Sequence, residues 1–254
     1  MLPDAQTAKS YGGALVTVTD MPDASRPESE NLLLAALSGE EYERLAPHLE
    51  PVTLDLSQVL FRPEDRLRYV HFPTDSIVSL LTSLEDGSGM EVGLVGREGM
   101  VGVSAFLGGS ETKVATVQAA GASLRLEADK LRAEFGRGGT LQSALLRYTH
   151  ALMTQVSQSV VCNTRHPVEG RLARWLLMYH DRLGRDEFEL THEFMANMLG
   201  VRRASVSEVA GKLQAMGFIR YRRGHITMLD RKGLERFVCE CYPVVKEKFD
   251  DFLL

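Results

Sequence analysis

The chain has 254 residues, 44% hydrophobic and 25% charged, with a formal net charge of −5. That composition describes an ordinary globular protein long enough for two domains. Three cysteines, Cys162, Cys239 and Cys241, are too few for a disulfide framework and fit a reducing cytoplasm; no apolar run approaches the roughly 18 residues that span a bilayer, so no membrane partner is expected.

Residues 1–30 are polar, carry Pro3, Pro22 and Pro27, and show neither a basic region nor an apolar core of a secretion signal. They read as a disordered leader. Residues 31–135 read as a β-barrel domain. Two helices are expected first, Leu32–Leu37 and Gly39–Leu49, the second opened by a capping box of Ser38 and Glu41. Short alternating segments follow at Val52–Leu56, Val59–Phe61, Tyr69–Phe72, Ile77–Leu84, Met90–Val95, Val114–Ala119 and Ala122–Glu127. Many short strands between turn residues predict an antiparallel barrel or jelly roll. The glycine-rich stretch Gly96–Gly102, continued by a short helix from Ser104, is where such a barrel would hold a small ligand.

A short helix, Asp129–Phe135, and three glycines lead into a long helical segment, residues 136–162, uninterrupted by Gly or Pro from Thr140 to Cys162. It carries two apolar stripes: Leu141, Leu145, Tyr148 and Leu152 on one, Leu146, Met153, Val156 and Val160 on the other. A helix apolar on two sides needs two partners. One is the barrel and the other is the same helix of a second copy, so Leu145, Leu146, Leu152, Met153, Val156 and Val160 are the candidate dimer residues. The alternative is a central helix covered on both sides by its own chain.

Residues 163–238 carry the sharpest pattern. A helix from Pro167 to Leu183 presents Leu172, Trp175, Leu176 and Tyr179 to a core. Thr191 is a plausible N-cap for a second helix, with Phe194, Met195, Met198 and Leu199 at helical spacing. Gly200 stops it, and a third helix, Arg202–Met216, buries Val206, Val209, Ala210 and Leu213. Arg202, Arg203, Ser205, Ser207, Glu208 and Lys212 are left outside or at its rim. Two strands, Phe218–Tyr221 and His225–Leu229, are joined through Arg222, Arg223 and Gly224. This is a winged helix-turn-helix, which puts one helix into the major groove of double-stranded DNA. Charge agrees: Asn163–Arg236 holds 14 Lys and Arg against 9 Asp and Glu, a local net of +5, leaving −10 on the rest. Residues 239–254 form a helical tail, amphipathic from Val244 to Leu254.

The order of parts resembles the Crp/Fnr family of bacterial transcription regulators, over about residues 32–238. The residues that carry the resemblance are Arg171-Leu-Ala-Arg-Trp-Leu-Leu177, Leu190-Thr191, Leu199-Gly-Val-Arg202-Arg203-Ala-Ser205-Val206 and Gly217-Phe-Ile219. The resemblance implies an α+β fold: an N-terminal double-stranded β-helix (a jelly roll like cyclic-nucleotide-binding domains), a long dimerisation helix and the C-terminal winged helix-turn-helix. It implies a cytoplasmic homodimer on a palindromic site, contact with RNA polymerase, and a signal that turns the two recognition helices. Arg203 matches the family's base-contacting arginine, suited to guanine O6 and N7. Thr191, Arg202 and Ser205 match phosphate-touching positions, and Arg223 and Gly224 match the wing tip. Ala204 stands where many members have glutamate, and Glu208 where some have a second arginine, so the usual half-site is not expected.

The sensor departs further. Where cyclic-nucleotide-binding members have Gly-Glu, this chain has Gly102-Val103-Ser104; where they have Arg-Ser or Arg-Thr, it has Lys113-Val114. Gly102, Ser104 and Lys113 mark the expected pocket, cyclic AMP is not expected in it, and the effector is left open. No cysteine precedes Cys162, against an iron–sulfur sensor, and His71 alone does not make a haem site. No cofactor, metal ligand or catalytic residue is assigned. The competing functions are a ligand-binding signalling protein without DNA regulation and a cupin-like enzyme, whose ligand set is missing. Cys239 and Cys241 form a Cys-x-Cys pair that would join Cys162 or His166 around zinc, or act as a redox switch, if folding gathered them; purely structural cysteines are the alternative.

Overall fold

A computed structural model of the chain describes residues 31–83 and 89–252. The expected leader, residues 1–30, lies outside the described residues. Two short helices open the described chain, α1 (Leu32–Ala35) and α2 (Gly39–Leu45), followed by a 3-10 turn at Ala46–His48. The second helix is shorter than expected because Pro47 has no N–H to continue the α-ladder. Ser38 caps α2 as expected, its hydroxyl accepting from the Glu41 amide. The Glu41 carboxylate also reaches another helix, accepting the amides of Thr140 and Leu141 at 3.2 and 3.3 Å. It thereby caps the long helix, where a carboxylate also suits the helix dipole.

Seven strands then form two antiparallel sheets. Strands β1 (Glu50–Leu54), β2 (Val59–Phe61), β3 (Tyr69–Pro73), β4 (Ile77–Ser83), β5 (Gly89–Val95), β6 (Val114–Ala119) and β7 (Gly121–Glu127) are ordered β1-β7-β3 and β2-β6-β4-β5. Period-2 alternation turns Leu54, Phe72 and Leu126 from one sheet and Val78, Leu94 and Val117 from the other into the core. A one-turn helix, α3 (Ser104–Leu107), and then α4 (Ala128–Phe135) close the ends of this β-roll.

The long helix α5 runs from Thr140 to Arg165 and stops at His166, which precedes Pro167 and is extended. One stripe, Leu141, Leu145, Tyr148 and Leu152, is buried against the chain's own core. Tyr148 presses its ring onto Gly99, where any Cβ would overlap it, and donates its hydroxyl to the Met100 carbonyl at 2.9 Å.

The C-terminal part consists of α6 (Val168–Leu183), β8 (Glu187–Glu189), α7 (His192–Leu199), α8 (Arg203–Ala215), β9 (Ile219–Arg222), β10 (His225–Met228) and α9 (Arg231–Phe237). Strand β8 adds a third strand to the wing, in the order β8-β10-β9. At three residues it is too short for its alternation to show in the sequence. The final helix, α10 (Cys241–Phe252), starts three residues before the expected Val244, since Pro243 is tolerated in a first turn. It folds back on α5, with Phe252 edge-on to Tyr148 at 5.7 Å.

Candidate nucleic-acid interface

Helices α7 and α8 meet at Gly200, whose left-handed φ of 61° lets the chain turn at the end of α7. Val206, Val209 and Leu213 bury the inner face of α8 against α6 and α7. The turn is held from behind by Arg171 of α6, which donates to the carbonyl of Leu199, the last residue of α7, and to Asn163 Oδ1 at 3.1 Å. Burial therefore fixes which way α8 faces, and its exposed side begins with Arg202 and Arg203.

Arg202 is the N-cap of α8 rather than its first helical residue. Arg202 and Arg203 are exposed and form no ion pair among the described residues. Strand β9 alternates so that Arg220 and Arg222 also point to solvent. The wing turns through Arg223 and Gly224, both at positive φ (50° and 85°), the two-residue hairpin that matches strand twist. Thr191 caps α7 by accepting the Phe194 amide at 3.1 Å, and the Leu190 amide donates to the Gly224 carbonyl at 2.6 Å. The wing tip and the start of α7 are thus one surface. Arg220 was not among the sequence candidates, although its spacing from Arg222 is the strand period.

A second missed residue is His192. Its ring stacks on Tyr221 of β9 at 4.0 Å, and its Nδ1 lies 2.8 Å from Ser207 Oγ of α8. Burial, then the Arg203 charge, hold its imidazole below its ordinary pKa. One side chain thus ties α7, α8 and the wing together, and Ser207 belongs to that tie. Lys212 is also not a free cation: its Nζ lies 3.0 Å from Glu169 and 2.9 Å from Glu208. Ser205 is half-buried near the N-terminus of α8.

Behind this face, the domain is seated on the β-roll. Met198 of α7 lies 2.8 Å from Gln118 Nε2 and 3.8 Å from Ser79 Oγ. At the centre of the seam Glu91 accepts hydrogen bonds from Trp175 Nε1 at 2.8 Å, Ser79 Oγ at 2.8 Å and Gln118 Nε2 at 2.6 Å. Burial outweighs these three donors and pushes the Glu91 carboxyl up to about 7. Nearby, Arg182 meets Glu98 at 2.9 Å and Gln155 at 2.8 Å, so the turn after Gly96 serves this seam.

A cavity lies elsewhere, between the roll and α5, with a volume of about 300 Å³. Gly102 and Lys113 line it, whereas Ser104 does not; its hydroxyl instead donates to Glu111. Glu111 is buried and lines the cavity, so folding supplies a carboxylate that the Gly102-Val103 position lacks. The rest of the wall is mainly apolar, including Phe61, Leu80 and Met100. Met153 and Val156, from the outer side of α5, form its rim.

That outer side stays open. Leu146, Met153, Val160 and Val161 are exposed, Met153 by 64%. Leu145 and Leu152, taken from the sequence as dimer residues, belong instead to the inner face, at 0% and 7% exposure. Their positions along the helix turn them to the roll, so the open face is carried by Leu146, Met153, Val156 and Val160, with Val161 added.

Residues 170–237 match the model of the Crp-like helix-turn-helix domain. Among solved structures, FixK2 from Bradyrhizobium japonicum is similar at a TM-score of 0.66 and 15% identity, covering 75% of this chain and 98% of that one. CLP, the c-di-GMP responsive global regulator of Xanthomonas campestris, is similar at 0.58 and 16%, covering 76% and 100%. A transcriptional regulator of the Crp/Fnr family from Thermus thermophilus follows at 0.55 and 21%, covering 74% and 97%. The chain has the Crp/Fnr fold and carries the family's helix-turn-helix domain. No curated protein matches the chain. The Crp-like domain match takes in α6 through α9, and so includes both Arg171, which holds the turn, and the three-stranded wing. Among the described residues no helix is long and apolar enough to cross a membrane.

Proposed function

We propose that the protein is a cytoplasmic, homodimeric, sequence-specific transcription regulator that reads a palindromic DNA site and acts on RNA polymerase. One observation carries this reading: Arg202, Arg203, Arg220, Arg222 and Arg223 stand exposed, without ion pairs among the described residues, on one surface formed by the start of α8 and the wing. Unpaired cations at the N-terminus of a helix set to enter the major groove are the electrostatic form of a DNA reader. Arg203 is the base reader, while Arg202, Ser205, Thr191 and the wing tip fix register on phosphates.

The β-roll is the sensor. Its cavity takes a small, mainly apolar signal, with Glu111 and Lys113 as the polar handles. Because Met153 and Val156 edge both the cavity and the open face of α5, a ligand there acts directly on the dimer contact. No step in this reading involves catalysis.

Selection of random duplexes by the purified protein, at two salt concentrations and with or without cell extract, tests the reading. Enrichment of a palindrome is expected, and dependence on extract identifies a required signal. Binding that falls steeply with salt and enriches no sequence would reduce the activity to backbone attraction and sink it.

A further inference from the structure

The three cysteines converge. Cys162 and His166 lie one turn apart at the end of α5, Cys239 lies between α9 and α10, and Cys241 is the first residue of α10. Cys162 Sγ is 3.6 Å from Cys239 Sγ, and Cys241 Sγ is 3.5 Å from His166 Nδ1. All four ligand atoms lie within 4.8 Å of one another. Two segments 73 residues or more apart in sequence thus contribute two ligands each.

The 3.6 and 3.5 Å separations are those of ligands around one tetrahedral ion. With metal–sulfur bonds of about 2.3 Å and metal–nitrogen bonds of about 2.0–2.1 Å, the tetrahedron's edges are about 3.8 Å between sulfurs and about 3.5 Å between sulfur and nitrogen. A disulfide needs sulfurs about 2.0 Å apart, so the sulfurs here are separate, and all three thiols are free. A cluster of two irons would spread its outer ligands wider than this.

A second observation points to a metal. The other ring nitrogen of His166, Nε2, lies 3.3 Å from the Glu240 carboxylate. A proton held there leaves the Nδ1 lone pair facing the sulfurs, the carboxylate–histidine arrangement that orients imidazole ligands. Three thiolates around a dication leave one net negative charge. Buried Arg171 and Arg174 lie on the α6 side, where both exert their charge on Cys162.

We propose that Cys162, His166, Cys239 and Cys241 form a mononuclear site for a thiophilic divalent cation of the zinc class. Binding replaces the three thiol protons, which leave to solvent, with bonds to the metal. The site spans the break at His166–Pro167, where α5 gives way to the DNA-binding domain. An ion there ties the end of the dimer helix to the base of α10 and fixes the angle between them.

Cobalt(II) titration of the full-length, reduced protein tests this. One equivalent per chain is expected to give intense visible bands with sulfur-to-cobalt charge transfer, displaced by one equivalent of zinc. Zinc is also expected to protect all three thiols from alkylation. Cys239→Ser and Cys241→Ser are expected to abolish the charge-transfer bands, and Glu240→Gln to weaken affinity about 10–100-fold. Should the serine variants fail to fold, thiol protection in the unaltered chain decides. A weak octahedral cobalt spectrum, thiols alkylated equally fast with zinc, or a Cys162–Cys239 disulfide in place of metal uptake would each overturn the proposal.

Discussion

The DNA-binding domain has two faces that treat arginine in opposite ways. On the outer face Arg202, Arg203, Arg220, Arg222 and Arg223 are exposed, with no ion pairs among the described residues. On the inner face Arg171, Arg174 and Arg182 are buried, and each donates hydrogen bonds: Arg171 to Leu199 and Asn163, Arg174 to Ser159, Arg182 to Met178 and Gln155. The outer charges are not tied up in such contacts and stay open to solvent. The inner ones hold the domain's own elements and seat it on the roll. The same residue type is thus left free for a ligand where it is solvated and is a structural clamp where it is desolvated and partnered.

The largest effect expected from perturbing this division comes from neither face directly, but from the proposed contact between two copies along α5. Met153→Glu combined with Val160→Glu places charges on the open side of α5, away from the core. A monomer by analytical ultracentrifugation is expected, with affinity for a two-fold site down about 10²–10⁴-fold as the second half-site contact is lost. A double variant that remains dimeric would move the interface off this helix face.

Next is Arg203→Ala. Specific affinity should fall about 5–150-fold, the range of one bidentate base contact. Thermal stability should hold, since the side chain is exposed and unpaired. Unchanged selection of specific sites by this variant would displace α8 from the groove. The paired change on the inner face, Arg171→Ala, frees the Leu199 carbonyl and should lower stability as well as binding.

The seam offers a pH test. Glu91 has a folded-state pKa of about 7 against an ordinary 4.5. The folded chain therefore holds more protons than the unfolded chain between those values, and this group's contribution falls as pH rises from about 4.5 to about 7. Glu91→Gln should remove that part of the slope and raise the melting temperature at pH 8. The Gln118 Oε1 atom is buried without a partner among the described residues, and a flip of the Gln118 amide would turn it to accept from the new one. Parallel melting profiles for the two proteins would show that Glu91 is not ionising in the seam.

What the sequence showed follows the range of its signals. The strands of the roll and the helix-turn-helix were legible because alternation, helical spacing, Ser38, Thr191 and Gly200 are local. The strand β8 was not, because three residues carry no period. The division of α5 into inner and outer faces was half legible: the two stripes could be counted, but Leu145 and Leu152 could be assigned to the roll only with the roll in place. Glu111 was missed as a pocket residue because the motif position held valine, and the carboxylate arrives from seven residues past Ser104. His192 gave no signal in isolation, since its partners Ser207 and Tyr221 lie on other elements. The gathering of Cys162, His166, Cys239 and Cys241 depends on α10 folding back to the end of α5, a contact no local pattern encodes.

Lys212 gives the finest test of the two-face division, because it lies on the outer side of α8 yet is partnered. Its ammonium sits between Glu169 and Glu208, and those hydrogen bonds raise its pKa. A cation already neutralised by two carboxylates releases few counterions from DNA, so its removal should leave the salt dependence of binding almost unchanged. Water screens exposed ion pairs of this kind, so stability should change little as well. Arg223, at the wing tip without an ion pair among the described residues, should behave otherwise: Arg223→Ala is expected to lower the slope of log affinity against log salt by about 1. Measuring both slopes on one duplex separates the cases. If Lys212→Ala shifts the slope as much as Arg223→Ala, the carboxylates release the lysine when DNA arrives, and the free structure's pairing is a resting state that DNA displaces.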